Sequence, residues 1–235
     1  MTKLVNANVV VIGGSSGMGL AVAKLAEENG ANVTIVSRFA DKLREAAKEM
    51  NHVQTAAADI SIEANIQALF GKMERVDHVF ISAGKMHVGK ILETEIVTFR
   101  RDVEQRLWGL IYIVRQAAPK MTAGSITFIT GQYSSRPAAG AVVTAALFAA
   151  AETLAKGLAL ELAPIRFNAI SPGIVDTPIL GDADERRGAA QWAKENLHVK
   201  RIGTAEEVAQ AALLLMTNDF ITGEILHIDG GGRLI

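Results

Sequence analysis

An α/β fold, in which strands and helices alternate around one core, is predicted by three features of this 235-residue sequence. The stretch 9–26, VVVIGGSSGMGLAVAKLA, runs from β-branched residues through a glycine cluster into a pattern with Met18, Val22 and Leu25 at helical spacing. Further apolar runs of strand length recur between amphipathic helical segments. With 49% hydrophobic and 21% charged residues, the chain can bury one sizeable core without a linker.

The first stretch reads as strand, tight loop and helix. Gly13 suits a sharp turn with positive φ, Gly17 a close approach of backbone to ligand, and Gly19 close packing of helix on strand. The amides of this loop, with Ser15, Ser16 and Met18, then converge with the helix N-terminus on one point suited to a pyrophosphate. Dinucleotide binding is the expectation, because strand, GxxxGxG loop and helix occur together.

The formal net charge of −1 and the lack of a basic run give no reason to expect nucleic acid as a partner. The absence of cysteine excludes disulfides, thiolate catalysis and cysteine metal sites, no metal is expected, and a reducing cytoplasm is compatible. The N-terminal MTKLVNANVV lacks the regions of a signal peptide. The most apolar stretch, 138–151, falls short of the ~20 residues of a membrane span and reads as a buried helix. No membrane partner is expected.

Taken in order, residues 28–31 close the first helix and 32–37 (NVTIVS) form a second strand. Ser37 and Arg38 then fall where an adenosine ribose would lie. A hydroxyl and a guanidinium, in place of a carboxylate, favour a 2′-phosphate and so NADP(H) over NAD(H), although Arg38 also reads as a solvated loop residue. A helix over 41–50 and a strand over 53–57 lead to Asp59 and Ile60. Asp59 suits either an adenine amino group or a helix N-cap. A helix over 62–73 and a strand over 76–81 end at Ser82, Ala83 and Gly84, a small-residue loop beside which a flat cofactor would pass.

The glycine loop, the Asp59-Ile60 pair, the S-A-G where N-A-G is usual, the segment Ser171-Pro172-Gly173-Ile174-Val175-Asp176-Thr177-Pro178, and the closing ITGEILHIDGG resemble the short-chain dehydrogenase/reductase family over essentially the whole chain. The resemblance implies one doubly wound, Rossmann-type domain with a mostly parallel seven-stranded sheet and helices on both faces. It places Gly13, Gly17 and Gly19 at the pyrophosphate, Asp59 near adenine, and Ser82, Ala83 and Gly84 near the nicotinamide ribose. Residues 170–173, Ile174 and Thr177 would line the nicotinamide. Ile12 replaces the family's threonine, and Ser16 a basic residue common in NADP-using members.

The resemblance breaks at the catalytic positions. A long helix is predicted over 94–121, and Arg106 stands where the family has its asparagine. After a strand over 125–130, Gly131 replaces the carbonyl-polarising serine. Thr144 and Phe148, four apart on one helix face, replace the tyrosine that gives a proton and the lysine that lowers its pKa and holds the nicotinamide ribose. Tyr133, Lys85 and Arg106 are the candidate substitutes, with His87 beside them. The plainer alternative is a half-buried Tyr133, solvated Lys85 and His87, and Arg106 paired with Asp102 or Glu104.

Residues 179–200 read as a polar, irregular substrate-region insertion with a hinge at 181–184, before a capping box at Thr204 opens the last helix. The alanine-rich helix over 140–162 resembles the one through which family members form homo-oligomers, so a dimer or tetramer is expected. Two functions remain open. One is an NADP(H)-dependent oxidoreductase acting weakly or unusually on a small carbonyl or alcohol substrate. The other is an NADP-binding protein without dehydrogenase activity.

Overall fold

The computed structural model describes residues 4–84 and 86–235. Strands β1 (Asn8–Ile12), β2 (Asn32–Ser37), β3 (Val53–Ala57), β4 (His78–Ile81), β5 (Ser125–Ile129), β6 (Arg166–Pro172) and β7 (Ile225–Ile228) form one sheet in the order β3-β2-β1-β4-β5-β6-β7. Every pairing is parallel. Parallel strands need crossovers, and the helices that supply them cover both faces. The chain therefore has the expected doubly wound α/β architecture.

On one face α1 (Gly17–Glu28), α2 (Ala40–Ala47) and α8 (Ala205–Thr217) bury Val22, Leu43 and Leu215 against Val9, Val11 and Ile35. On the other, α3 (Glu63–Gly71), α5 (Gly109–Ala117) and α6 (Val142–Glu161) bury Phe70, Ile113 and Ala151 against Val10, Ile126 and Phe128. The alternation of inward side chains along β1 thus feeds two cores. By length and composition α6 is apolar enough to cross a membrane. Here it packs on β6, and its Ala151 and Ala155 belong to the core.

Two helical predictions need correction. The continuous helix expected over 94–121 is α4 (Ile96–Val103), a π-helical segment Glu104–Trp108, then α5 and a 3-10 turn Ala118–Lys120. The wider π turn falls at Arg106, and an apolar stripe alone cannot reveal such a bulge. The stretch 179–200, expected to be irregular, contains a 14-residue helix α7 (Ala183–Asn196). Asp182 caps it by accepting from the amides of Asp184 and Glu185, at 2.9 and 3.0 Å, so the suspected hinge is a capping box. The predicted box at Thr204 and Glu207 forms as expected.

Candidate functional site

A cleft lies beyond the C-terminal ends of β1 and β4, where the strand order reverses from the centre of the sheet. The amides of Gly13 and Gly14 donate to the carbonyl of Val36, at 2.8 and 3.2 Å, and fold the loop over β2. Gly13 has φ +91°, and a Cβ there would lie 2.7 Å from the Ala83 nitrogen. A Cβ on Gly19 would lie 2.2 Å from the Gly13 carbonyl oxygen, so only glycine permits this helix-to-loop contact. Gly17, Ser15, Ser16, Met18 and Ser37 join the lining. Ser16 is the extended N-cap of α1 but makes no side-chain cap bond, which leaves the first-turn amides available to an anion.

At the adenosine end the structure brings together Arg38, Phe39 and Lys42. The Arg38 guanidinium lies 5.4 Å and the Lys42 ammonium 5.5 Å from the centroid of the Phe39 ring. Lys42 went unnoticed in the sequence, although its place four residues beyond Arg38 on a helix start was a usable signal. Arg38 also faces Asp59 at 3.6 Å. Asp59 accepts from the Ser61 amide at 2.9 Å and hydroxyl at 2.6 Å. Burial pushes its carboxyl up, but these bonds and Arg38 outweigh burial and hold it below the usual range. Asp59 is not the N-cap of α3, which is Ile62. It sets the turn before the helix, while its neighbours Ala58 and Ile60 reach the cleft.

Ser82, Ala83 and Gly84 line the middle of the cleft, and the Ser82 hydroxyl donates to the carbonyls of Ile12 and Gly13 at 3.3 and 3.4 Å. Thr177 and Pro178 close it opposite Gly17, whose added Cβ would meet the Thr177 side chain at 3.3 Å. The Thr177 hydroxyl donates to the Val175 carbonyl at 3.3 Å. Three residues of the expected nicotinamide lining do not reach this cleft. Pro172 ends β6 against Ile228, Gly173 packs on Asp229, and Ile174 lines a separate depression with Leu197 and Gly231. The backbone turns away after β6, and Thr177 and Pro178 come back to the lining.

At the far end Arg106, Gly131, Thr144 and Phe148 pack together. Arg106 is 8% exposed; its Nη2 donates to the Gly84 carbonyl at 2.5 Å and its Nη1 to the Ile129 carbonyl at 3.3 Å. Its guanidinium lies 5.7 Å from the Phe148 ring centroid. Burial pushes its pKa down to about 10, against the pull of the Asp102 carboxylate, so it is a cation at neutral pH. It therefore clamps two carbonyls over an aromatic face, with no carboxylate in direct contact among the described residues. Phe148 is buried, and a Cβ on Gly131 would lie 2.7 Å from its Cε2. The ring occupies the room that a residue other than glycine would take at position 131. Thr144 is buried and donates to the His87 carbonyl at 3.1 Å.

Among the other expected substitutes, His87 is exposed and its amide donates to Asp102 at 3.0 Å. Lys85 lies outside the described residues. Tyr133 is half-buried on the turn Gln132–Ser134, which Ser134 fixes by donating to the Gly131 carbonyl at 3.0 Å and to Glu152 at 2.6 Å. Gln105, which precedes the buried arginine on the π turn, lines the cleft and was not foreseen.

The cleft fits the adenosine and pyrophosphate half of a dinucleotide, since its cradle is space that Cβ atoms would fill. A family model described as enoyl-(acyl carrier protein) reductase matches residues 12–232. The chain is 33% identical over 256 residues to the short-chain dehydrogenase/reductase ucsE of an Acremonium species, spanning 99% of this chain and 97% of that one. It superposes on a small-chain dehydrogenase solved in complex with NADPH with a TM-score of 0.86 at 32% identity, covering 98% and 100% of the two chains. The MalC reductase/Diels-Alderase of Malbranchea aurantiaca gives a TM-score of 0.92 at 28% identity, over 99% and 98%. A single α/β sheet with this glycine cradle at its switch point, matched along nearly its whole length by such relatives, makes the chain a member of the short-chain dehydrogenase/reductase family of oxidoreductases.

Proposed function

We propose that this chain binds NADP(H) in preference to NAD(H) and that its reduction of ordinary carbonyls is very slow. The observation that carries the reading is the contrast between the two cations flanking Phe39 and the packed cluster of Arg106, Gly131, Thr144 and Phe148. Arg38 and Lys42 offer charge-assisted bonds to a 2′-phosphate. The relative solved with NADPH supports the same preference. Bound NADP(H) would supply or accept the hydride.

A carbonyl that receives hydride needs a proton on its oxygen. Thr144 has no accessible titration, its hydroxyl is engaged with His87, and Phe148 and Gly131 offer no donor. Loss of a general acid costs about 10²- to 10⁴-fold in rate. Activity therefore falls to a substrate that needs little acid assistance, or to Tyr133 as substitute acid, with Lys85 and His87 as the other candidates. Among the described residues the Tyr133 hydroxyl has no protein partner, which favours this route over one through Arg106. The alternative is an NADP-binding sensor or partner subunit without turnover.

The substrate region is 179–200. Exposed apolar residues on α4, the π segment and α6, including Ile96, Val97, Trp108 and Val142, support a homo-oligomer, which light scattering in solution would measure. A cysteine-free chain suits the cytoplasm.

Titration calorimetry with NADPH and NADH tests the cofactor preference. NADPH should bind at least about tenfold more tightly, and Arg38→Ala should remove that difference. Equal affinities would overturn it. Turnover near ~10 per second on a simple ketone would overturn the prediction of slow chemistry. If slow turnover is found, Tyr133→Phe should abolish it, and an unchanged rate would remove Tyr133 from the mechanism.

A further inference from the structure

We infer that this site holds its dinucleotide from one end only: the 2′-phospho-ADP half supplies nearly all of the affinity, and the nicotinamide riboside half adds little. The inference rests on the NADP(H) reading above and concerns how this chain's own residues meet that ligand.

The polar side chains are unevenly shared between the two ends of the cleft. Arg38 and Lys42 converge on one aromatic ring at the adenosine end, and Arg38 is only partly buried, so both cations can turn toward a phosphate. The loop amides between them and α1 carry no side-chain cap. At the other end every side-chain donor of the rebuilt cluster is directed inward or is absent. Both terminal nitrogens of Arg106 are spent on the carbonyls of Gly84 and Ile129. Its Nε has no hydrogen-bond partner among the described residues, but it is buried beneath the loop, where a Cβ on Gly84 would stand 2.9 Å away. The Thr144 hydroxyl is spent on His87, and the Thr177 hydroxyl on Val175.

Phe148 is buried against Gly131 and offers neither a donor nor a cation at this end. Among the described residues, what remains for the nicotinamide riboside is Gln105 and the neutral loop at Ser82, Ala83 and Gly84, and neutral contacts are about half as strong as the charge-assisted ones at the adenosine end. Ordering the riboside against such a surface also costs rotational freedom that few new bonds offset. The cleft is thus a phosphate and adenosine clamp with an indifferent far end.

The test uses the wild-type protein and calorimetry with NADPH, NADP⁺, 2′-phospho-ADP-ribose and reduced nicotinamide mononucleotide. The expected result is that NADPH, NADP⁺ and 2′-phospho-ADP-ribose bind within about tenfold of one another, while the mononucleotide gives no heat at millimolar concentration. If 2′-phospho-ADP-ribose binds more than about tenfold weaker than NADPH, the one-ended reading is overturned and NADP(H) binding stands. Saturable heat from the mononucleotide would overturn it equally. If NADPH itself does not bind, the cofactor reading falls and this inference falls with it. The readout is affinity alone, so absence of turnover does not affect the outcome.

Discussion

The glycine loop after β1 and the cluster after β5 both sit at C-terminal ends of strands in the middle of the sheet, and they use glycine in opposite ways. At the loop, three glycines keep space open that any side chain would close. At the cluster, a glycine is again present, but its space is filled by Phe148. The same residue type therefore makes a cradle in one place and a socket in the other. Binding geometry and catalytic chemistry are separable on this scaffold, because the fold is held by the two cores and neither depends on a tyrosine, a lysine or a serine at the cleft.

The largest effect should come from closing the cradle. A Cβ at Gly19 would approach the Gly13 carbonyl oxygen to 2.2 Å, and backbone cannot swing aside as a side chain can. Gly19→Ala should lower stability by roughly 2–4 kcal/mol in urea unfolding and weaken NADPH binding by about 100-fold or more. A variant that binds normally would mean that the loop is not the ligand's seat.

A smaller effect is expected at the socket. Gly131→Ser supplies the residue type that the family resemblance implies there, yet its Cβ would meet Phe148 Cε2 at 2.7 Å and should cost roughly 1–3 kcal/mol. Phe148→Ala should also destabilise, by about 3–5 kcal/mol, since the ring is buried and carries the Arg106 guanidinium. Made together, the serine enters space that the ring has vacated, so the double-mutant cycle should show a favourable coupling of about 0.5–3 kcal/mol. Additive losses would separate the two positions and leave the filled-socket account without support. It follows that restoring catalytic residues one at a time should not restore carbonyl reduction, because each single change meets a neighbour adapted to its absence.

Much of this was legible in the sequence and some of it was not, for physical reasons. The alternation of strands and helices, the positive φ at Gly13 and the capping box at Thr204 follow from local rules, and each is present. The sequence could single out Arg106, Gly131, Thr144 and Phe148 through a resemblance, but not their mutual fit. Gly131 and Phe148 belong to different elements, and only the tertiary structure shows that the ring fills the glycine's space. The π turn at Arg106 was invisible because an apolar stripe tolerates one extra residue per turn. Helix α7 was missed because its polar faces carry no periodic apolar signal, and Asp182 with Glu185 is the local cue that would have found it.

The smallest effect sharpens the comparison on its electrostatic side. The Arg106 charge is fixed between carbonyls under an aromatic ring, whereas Arg38 is shared with Asp59 in a pair whose side chains are 35% and 26% exposed. The folded Asp59 pKa lies below its ordinary 3.8. The stability this group contributes is therefore fully present above the unfolded pKa and is lost as pH falls through the folded value. Partial exposure and screening keep that contribution below about 1 kcal/mol. Asp59→Asn removes it, so urea midpoints of the wild type and the variant should differ at pH 7 and converge as the pH falls below the folded pKa. The same substitution frees Arg38 and removes a negative charge from the 2′-phosphate's surroundings, so NADPH affinity at pH 7 should rise by about two- to fivefold while NADH affinity hardly changes. A fall in NADPH affinity would instead assign Asp59 a direct contact with the ligand, and the cations at the adenosine end would then be no freer to turn toward a phosphate than the buried guanidinium of Arg106.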